Sequence, residues 1–279
     1  MPAAETITVR NIRFDLGAAP RCWHGGGVGV TAFFDALSAC FPHGERFFIR
    51  SVKGALPAID DPSLLAAVKG FNGQESMHTR EHEAYNARLR AFGYDIDGME
   101  REQARCIAWI ENELGPAAAL GVTASMEHMT SILAGQVTRD EAYFAGADPH
   151  LRDLWLWHAM EEAEHGDVAF DALKAMHPGY FFRVRMMLLS TRLLLQIIGR
   201  NLLSILEVER ARGAPGARRG LFGYLFVSPG LARRIAIPYL AFYRPGFHPS
   251  KTPARRFAGR YRAHFDSLAG IGSPPLSKA

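Results

Sequence analysis

From about residue 31 onward, apolar side chains recur every three or four positions, and the alternation expected of strands is nearly absent. The pattern predicts an all-α chain. One stretch opens at Asp61-Pro62, an Asp N-cap with proline at the first helical position. Core-type positions then fall at Leu64, Val68, Phe71, Glu75, His78, His82, Tyr85 and Leu89, in steps of 4, 3, 4, 3, 4, 3 and 4. Such a stripe is one face of a single helix, and Gly93 is its predicted stop. A second stretch opens at Asp148-Pro149. Its stripe is Leu151, Trp155, His158, Glu162, His165, Ala169, Ala172 and Met176, with the same steps. Both stripes hold ionisable residues in the middle, where leucine is expected.

The two stretches match each other. Cap and Glu-x-x-His pair are repeated at a constant offset of 87 residues, Asp61 with Asp148, Glu75 with Glu162 and His78 with His165. This reads as a diverged duplication of a helical pair. Each repeated helix then needs a preceding partner. Before the first, Phe41-Pro42-His43-Gly44-Glu45 leads into a helix with Phe48 and Val52 on the face of Glu45. Before the second, Leu120, Ala124, Glu127, Ser131 and Ala134 form a stripe centred on Glu127. A helix over 100–114, broken at Gly115-Pro116, joins the halves. Residues 1–30 read as an arm, with a β-like stretch at 6–14 and a loop at Gly25-Gly26-Gly27.

A Glu and a His three residues apart project from one helical face. Two such pairs on facing helices, with one further Glu from each of two others, can surround two metal ions. Here the set is Glu45, Glu75, His78, Glu127, Glu162 and His165. Four carboxylates offset two divalent cations, and without metal their burial would be costly. His158, one turn before Glu162, is a candidate third imidazole. His82, one turn beyond His78, is a candidate either as a ligand or for a contact behind the ligands; Glu161 and Glu164 lie off the stripe, solvated or behind the ligands. Mixed imidazole and carboxylate donors suit iron, with manganese and zinc as alternatives.

Charge changes the picture beyond residue 179. Residues 1–179 carry 15 Lys and Arg against 25 Asp and Glu, whereas residues 180–279 carry 17 against 3. The second part is also very apolar over 180–206, interrupted by Arg185, Arg192 and Arg200. No run there reaches the ~18 uncharged residues of a spanning helix. A Gly/Pro/Arg linker follows at 213–220, then an aromatic, basic stretch at 221–247. Either the section packs on the acidic body through its arginines, or it meets an anionic membrane surface. No reader motif accompanies the charge, so nucleic acid is not an expected partner. The division expected is an arm (1–30), a metal-binding bundle (31–179) and a basic helical extension (180–279). Cys22, Cys40 and Cys106 lack the spacing of a disulfide framework or thiolate site and suit a reducing cytosol. The first residues lack a secretion-signal profile, which fits a cytoplasmic protein, peripheral at the inner face of the membrane if the basic section docks there.

The segments Phe41-Pro42-His43-Gly44-Glu45, Gln74-Glu75-Ser76-Met77-His78, Ser125-Met126-Glu127-His128 and Trp157-His158-Ala159-Met160-Glu161-Glu162-Ala163-Glu164-His165 resemble the bacterial family labelled predicted metal-dependent hydrolase. The resemblance runs over 41–247. Tyr243-Arg244-Pro245-Gly246-Phe247-His248-Pro249 is also similar, although Ser250-Lys251 stands where that family often has Trp-Asp. The ligand set resembles that of the ferritin-like di-iron superfamily, which implies a four-helix bundle core. With His158 included, the spacing resembles the di-iron arylamine N-oxygenases. That similarity implies seven ligands (Glu45, Glu75, His78, Glu127, His158, Glu162 and His165) and activation of O2. The expectation is a di-iron oxidoreductase acting on a small, lipophilic substrate, with a homodimer as one mode of assembly. The alternatives are a two-metal hydrolase using a bridging hydroxide and a non-catalytic metal-binding protein.

Overall fold

The computed structural model describes residues 7–214 and 217–271. Among them every regular element is helical. The first is α1 (Val28–Ser38), entered through Gly27 at φ 85°. Four helices then form the centre: α2 (Phe41–Gly54), α3 (Pro62–Ala91), α5 (Pro116–Val137) and α6 (Pro149–His165). Between α3 and α5 lies α4 (Ile96–Trp109), which runs on through a wider π turn, Ile110–Leu114. Helix α2 packs on α3, α5 on α6, α2 on α5 and α3 on α6. This arrangement fits a four-helix bundle.

Both Asp-Pro starts form as expected. Asp61 accepts from the Ser63 amide, and Asp148 accepts from the amides of His150 and Leu151. These bonds satisfy donors that a first turn leaves open. Helix α3 ends before Gly93, whose φ of 81° is a left-handed stop.

Three sequence expectations need correction. The stretch 6–14 is not a strand over its described residues, 7–14; Thr6 lies outside them. Among the described residues there is no neighbouring strand, and the extended backbone bonds to α3 instead. Gln74 Nε2 donates to the Thr8 carbonyl (2.9 Å), and Glu81 accepts from the Phe14 amide (3.1 Å). Gly70 leaves room for Ile7, whose Cβ would sit 2.6 Å from an added Cβ. Second, the stripe from Leu151 to Met176 is not one helix. It breaks at Gly166-Asp167, and α7 (Val168–Ala175) follows. A Cβ on Gly166 would sit 2.7 Å from Ser131 Oγ, so α5 lies close against the chain at this break. Third, the linker at 213–220 already holds the start of α9 (Ala217–Phe222), which packs on α1; residues 215 and 216 lie outside the description.

The basic section covers the bundle. Helix α8 (Tyr180–Ala211) lies along α5 and α1, and α10 (Leu231–Ala241) lies along α5. Two short helices, α11 (Ala254–Ala258) and α12 (Arg262–Leu268), close over the α5–α6 side. Part of the charge asymmetry is resolved by contact. Arg255 pairs with Asp167, Arg262 with Glu164 and Arg200 with Glu102. No helix among the described residues is long and apolar enough to cross a membrane.

Two glycines separate packing from propensity. A Cβ on Gly29 would meet the Ala217 backbone carbonyl, whereas one on Gly199, within α8, would meet nothing within 4 Å. Gly29→Ala should therefore lower stability by about 1–3 kcal/mol as α1 and α9 separate. Gly199→Ala should raise it by about 0.5–1 kcal/mol. Thermal melts of both variants check the pair of signs.

Candidate metal centre

The nine side chains singled out above sit on the four central helices. Helix α2 brings Glu45; α3 brings Glu75, His78 and His82; α5 brings Glu127; α6 brings His158, Glu161, Glu162 and His165. All nine are buried. Donor atoms of Glu75, His78, Glu162 and His165 lie within 4.8 Å of one another, and so do those of Glu45, His82 and His158. The two groups touch where His158 Nε2 stands 3.0 Å from Glu162 Oε1. Glu127 belongs to neither group by that measure but meets His165 Nδ1 at 3.0 Å.

The donor atoms are strikingly short of partners by the standard of a folded interior, where buried polar atoms are nearly always bonded. Among the described residues, both oxygens of Glu45 and of Glu75, one oxygen each of Glu127 and Glu162, His78 Nδ1 and His165 Nε2 lack a hydrogen bond. Orphaned carboxylate oxygens and imidazole nitrogens converging on one buried point fit divalent cations. This donor chemistry suits iron, manganese or zinc.

The opposite ring nitrogens are held from behind. His78 Nε2 is 3.1 Å from Glu161 Oε2, which leaves Nδ1 facing Glu162 at 4.0 Å. Glu161 in turn takes a bond from Arg10 Nη1 at 3.1 Å. His82 Nδ1 pairs with Ser38 Oγ at 2.9 Å, and its Nε2 with His158 Nδ1 at 2.8 Å. Such outer bonds fix ring orientation and tautomer. Glu164 turns away from the centre; it binds Arg10 (2.8 Å), Gln74 (2.9 Å) and Arg262 (3.0 Å).

Burial dominates the electrostatics. It pushes Glu45 and Glu75 well above the usual carboxylate range, reinforced by the neighbouring carboxylates, and Glu127 up to about 7. Burial acts on Glu162 in the same direction, but the bond from His158 and the charge of His165 outweigh it and hold this carboxyl below the usual range. His78 and His82 are held neutral, far below the ordinary imidazole value, by desolvation. Burial also opposes charge on His165, yet Glu127 beside it pushes the imidazole up to about 9. Without metal, the centre therefore retains protons that a cation would displace.

Sequence reasoning missed Arg10. It is buried, and besides Glu161 and Glu164 it reaches Asp266 at 2.6 Å. An arginine in a short extended stretch gives no local signal. The signal was indirect: Glu161 and Glu164 flank the ligand pair and require a counter-charge.

A protein-family model described as predicted metal-dependent hydrolase matches residues 8–252. No curated protein and no solved structure matches the chain. The description points to a metal-dependent enzyme, and the buried carboxylate and histidine groups could supply its metal site.

Two outcomes follow from this geometry. Glu162→Ala should abolish tight metal binding, whereas Glu164→Gln, two residues on, should retain it; metal content after desalting checks this. Affinity should also rise with pH. The raised Glu45, Glu75, Glu127 and His165 hold protons that must leave as metal enters, so each released proton adds on the order of tenfold per pH unit. Competition titrations at pH 6, 7 and 8 measure the slope, and a flat profile contradicts the proton-holding centre.

Proposed function

The chain belongs to the predicted metal-dependent hydrolase family, and on that premise we propose a dinuclear iron enzyme that uses O2 to oxidise a small, lipophilic substrate. Glu45, Glu75, His78, Glu127, His158, Glu162 and His165 are the side chains that would hold the metal pair. When bound, such a pair would pass two electrons to O2, and the substrate, with an added reductant to restore Fe(II) between turnovers, would supply the rest. The protein's own residues provide placement. Glu161 and Arg10 set the ring of His78, and Ser38 through His82 sets the ring of His158. Glu162 borders both the metal-facing groups and the substrate space.

The observation that carries this reading is the cavity at the centre. It has a volume of about 140 Å³ and is walled by Phe41, Phe48, Met126, Met129, Leu194 and Ile198, and His158 and Glu162 also line it. An apolar cavity of about 150 Å³ holds a benzene ring. A ring or short acyl segment would lie there with its apolar surface removed from water. The lining offers few polar groups to solvate a water nucleophile or to release a charged leaving group. Oxidation of a C–H or N–H bond needs neither, and a dry site protects it from side reactions.

The second reading is the hydrolysis that the family's description states. In that case Glu162 and His158 would position a water against an ester or phosphate. The two readings part in the assay. Protein loaded anaerobically with Fe(II) should consume O2, faster when a lipophilic amine, alcohol or acyl compound is present. Leu194→Trp, which fills the cavity from α8, should cut that turnover at least about tenfold and leave metal content unchanged. Ester or phosphoester cleavage by the zinc or manganese form, with no O2 uptake by the iron form, would favour hydrolysis and contradict the oxidative reading.

A further inference from the structure

Helix α8 turns an uncovered apolar edge outward. Phe181, Leu188 and Leu195 stand at seven-residue spacing, which puts them on one face, and Phe181 and Leu195 are 78% and 68% exposed. Helix α10 continues the surface with Ile237, 77% exposed, and Leu240, also exposed. The two helices touch here. Thr191 Oγ1 and Tyr239 Oη are 2.8 Å apart, and Arg183 donates to the carbonyls of Phe242 and Arg244, just past α10. Arg185 and Arg192, both exposed, share this outer side of α8 and have no acidic partner among the described residues. The surface thus has an apolar centre with guanidinium groups beside it. The other side of the same helix is the cavity wall, through Leu193, Leu194, Ile197 and Ile198.

We propose that the α8–α10 face docks on an anionic lipid bilayer, with Phe181, Leu188 and Leu195 at the acyl boundary and Arg185 and Arg192 at the phosphates. Charge selects this occupant. The stretches 180–206 and 231–241, which build this face, hold six arginines and no Asp or Glu. Two copies meeting through this face would set arginine against arginine with almost no acid to pair them. A phosphate-bearing apolar surface complements both components. No described helix is apolar enough to cross a membrane, so the contact is interfacial. A lipophilic substrate would then pass from the bilayer to the cavity around α8 without entering bulk water. That consequence rests on the oxidative reading above; the docking does not.

Sedimentation of the full-length, metal-loaded protein with lipid vesicles tests the proposal. The protein should pellet with phosphatidylglycerol–phosphatidylethanolamine vesicles at low salt, release as salt rises, and stay in solution with phosphatidylcholine alone. Leu188→Asp combined with Leu195→Asp should abolish pelleting, and Arg185→Gln should weaken it roughly fivefold. Metal content and thermal midpoint should stay at wild-type values in both variants, since none of these residues lines the cavity. Equal pelleting of wild type and double variant, or equal pelleting with neutral vesicles, overturns the proposal. So does a dimer, seen by light scattering, that the double variant splits while neither protein binds vesicles; the face would then seat a second copy. No turnover enters these measurements. A failure to dock therefore leaves the oxidative reading standing, and a failure to consume O2 leaves the docking result standing.

Discussion

Four carboxylates buried at one point repel each other and have lost their water, and much of this fold is arranged around that conflict. Burial of an unpaired carboxylate costs several kcal/mol even after relaxation. The protein meets part of the cost with imidazoles: His158 on Glu162 and His165 on Glu127. It does not meet all of it, because oxygens of Glu45, Glu75, Glu127 and Glu162 remain without a hydrogen bond. Cations are the natural remainder of the balance. The same requirement explains why the helices carrying these groups are anchored so firmly. Asp61 and Asp148 cap α3 and α6, and Gly166 allows α6 to close against Ser131 of α5 beside His165.

Around the centre, a second layer of charge sets orientation. Arg10 comes from the extended N-terminal segment and binds Asp266 of α12 together with Glu161 and Glu164 of α6. The acidic body and the basic section are thus joined by ion pairs on this side. On the α8 side the arginines are not consumed in this way. Arg200 finds Glu102, but Arg185 and Arg192 remain open beside an apolar edge. The asymmetry of charge in the sequence therefore has two outcomes, internal neutralisation on one flank and an exposed cationic surface on the other.

What could be read in advance follows from locality. The all-α class, both Asp-Pro starts, the stop at Gly93 and the positions of Glu75, His78, Glu162 and His165 depend on spacing within one helix, and spacing is visible in the chain. The constant offset of 87 residues between the two halves made the pairing of helices legible as well. What was not legible depends on contacts across the fold. Residues 7–14 have strand-like composition, but strand formation needs a partner, and α3 took that role. The break at Gly166 lies against Ser131, 35 positions earlier, and no periodicity reveals it. Arg10 and Ser38 act on rings 68 and 44 residues away, one through Glu161 and the other directly. His82 stands out in its stripe as a candidate at the centre, but only the packing puts it in one group with Glu45 and His158.

The central claim is that this buried cluster is a two-metal centre. Crystals of the protein purified without chelator, with diffraction recorded on both sides of the iron absorption edge, test it most directly. The account predicts two anomalous peaks enclosed by Glu45, Glu75, His78, Glu127, His158, Glu162 and His165. An empty cluster in protein that retains metal elsewhere would contradict it, as would carboxylates found paired by protons or water alone.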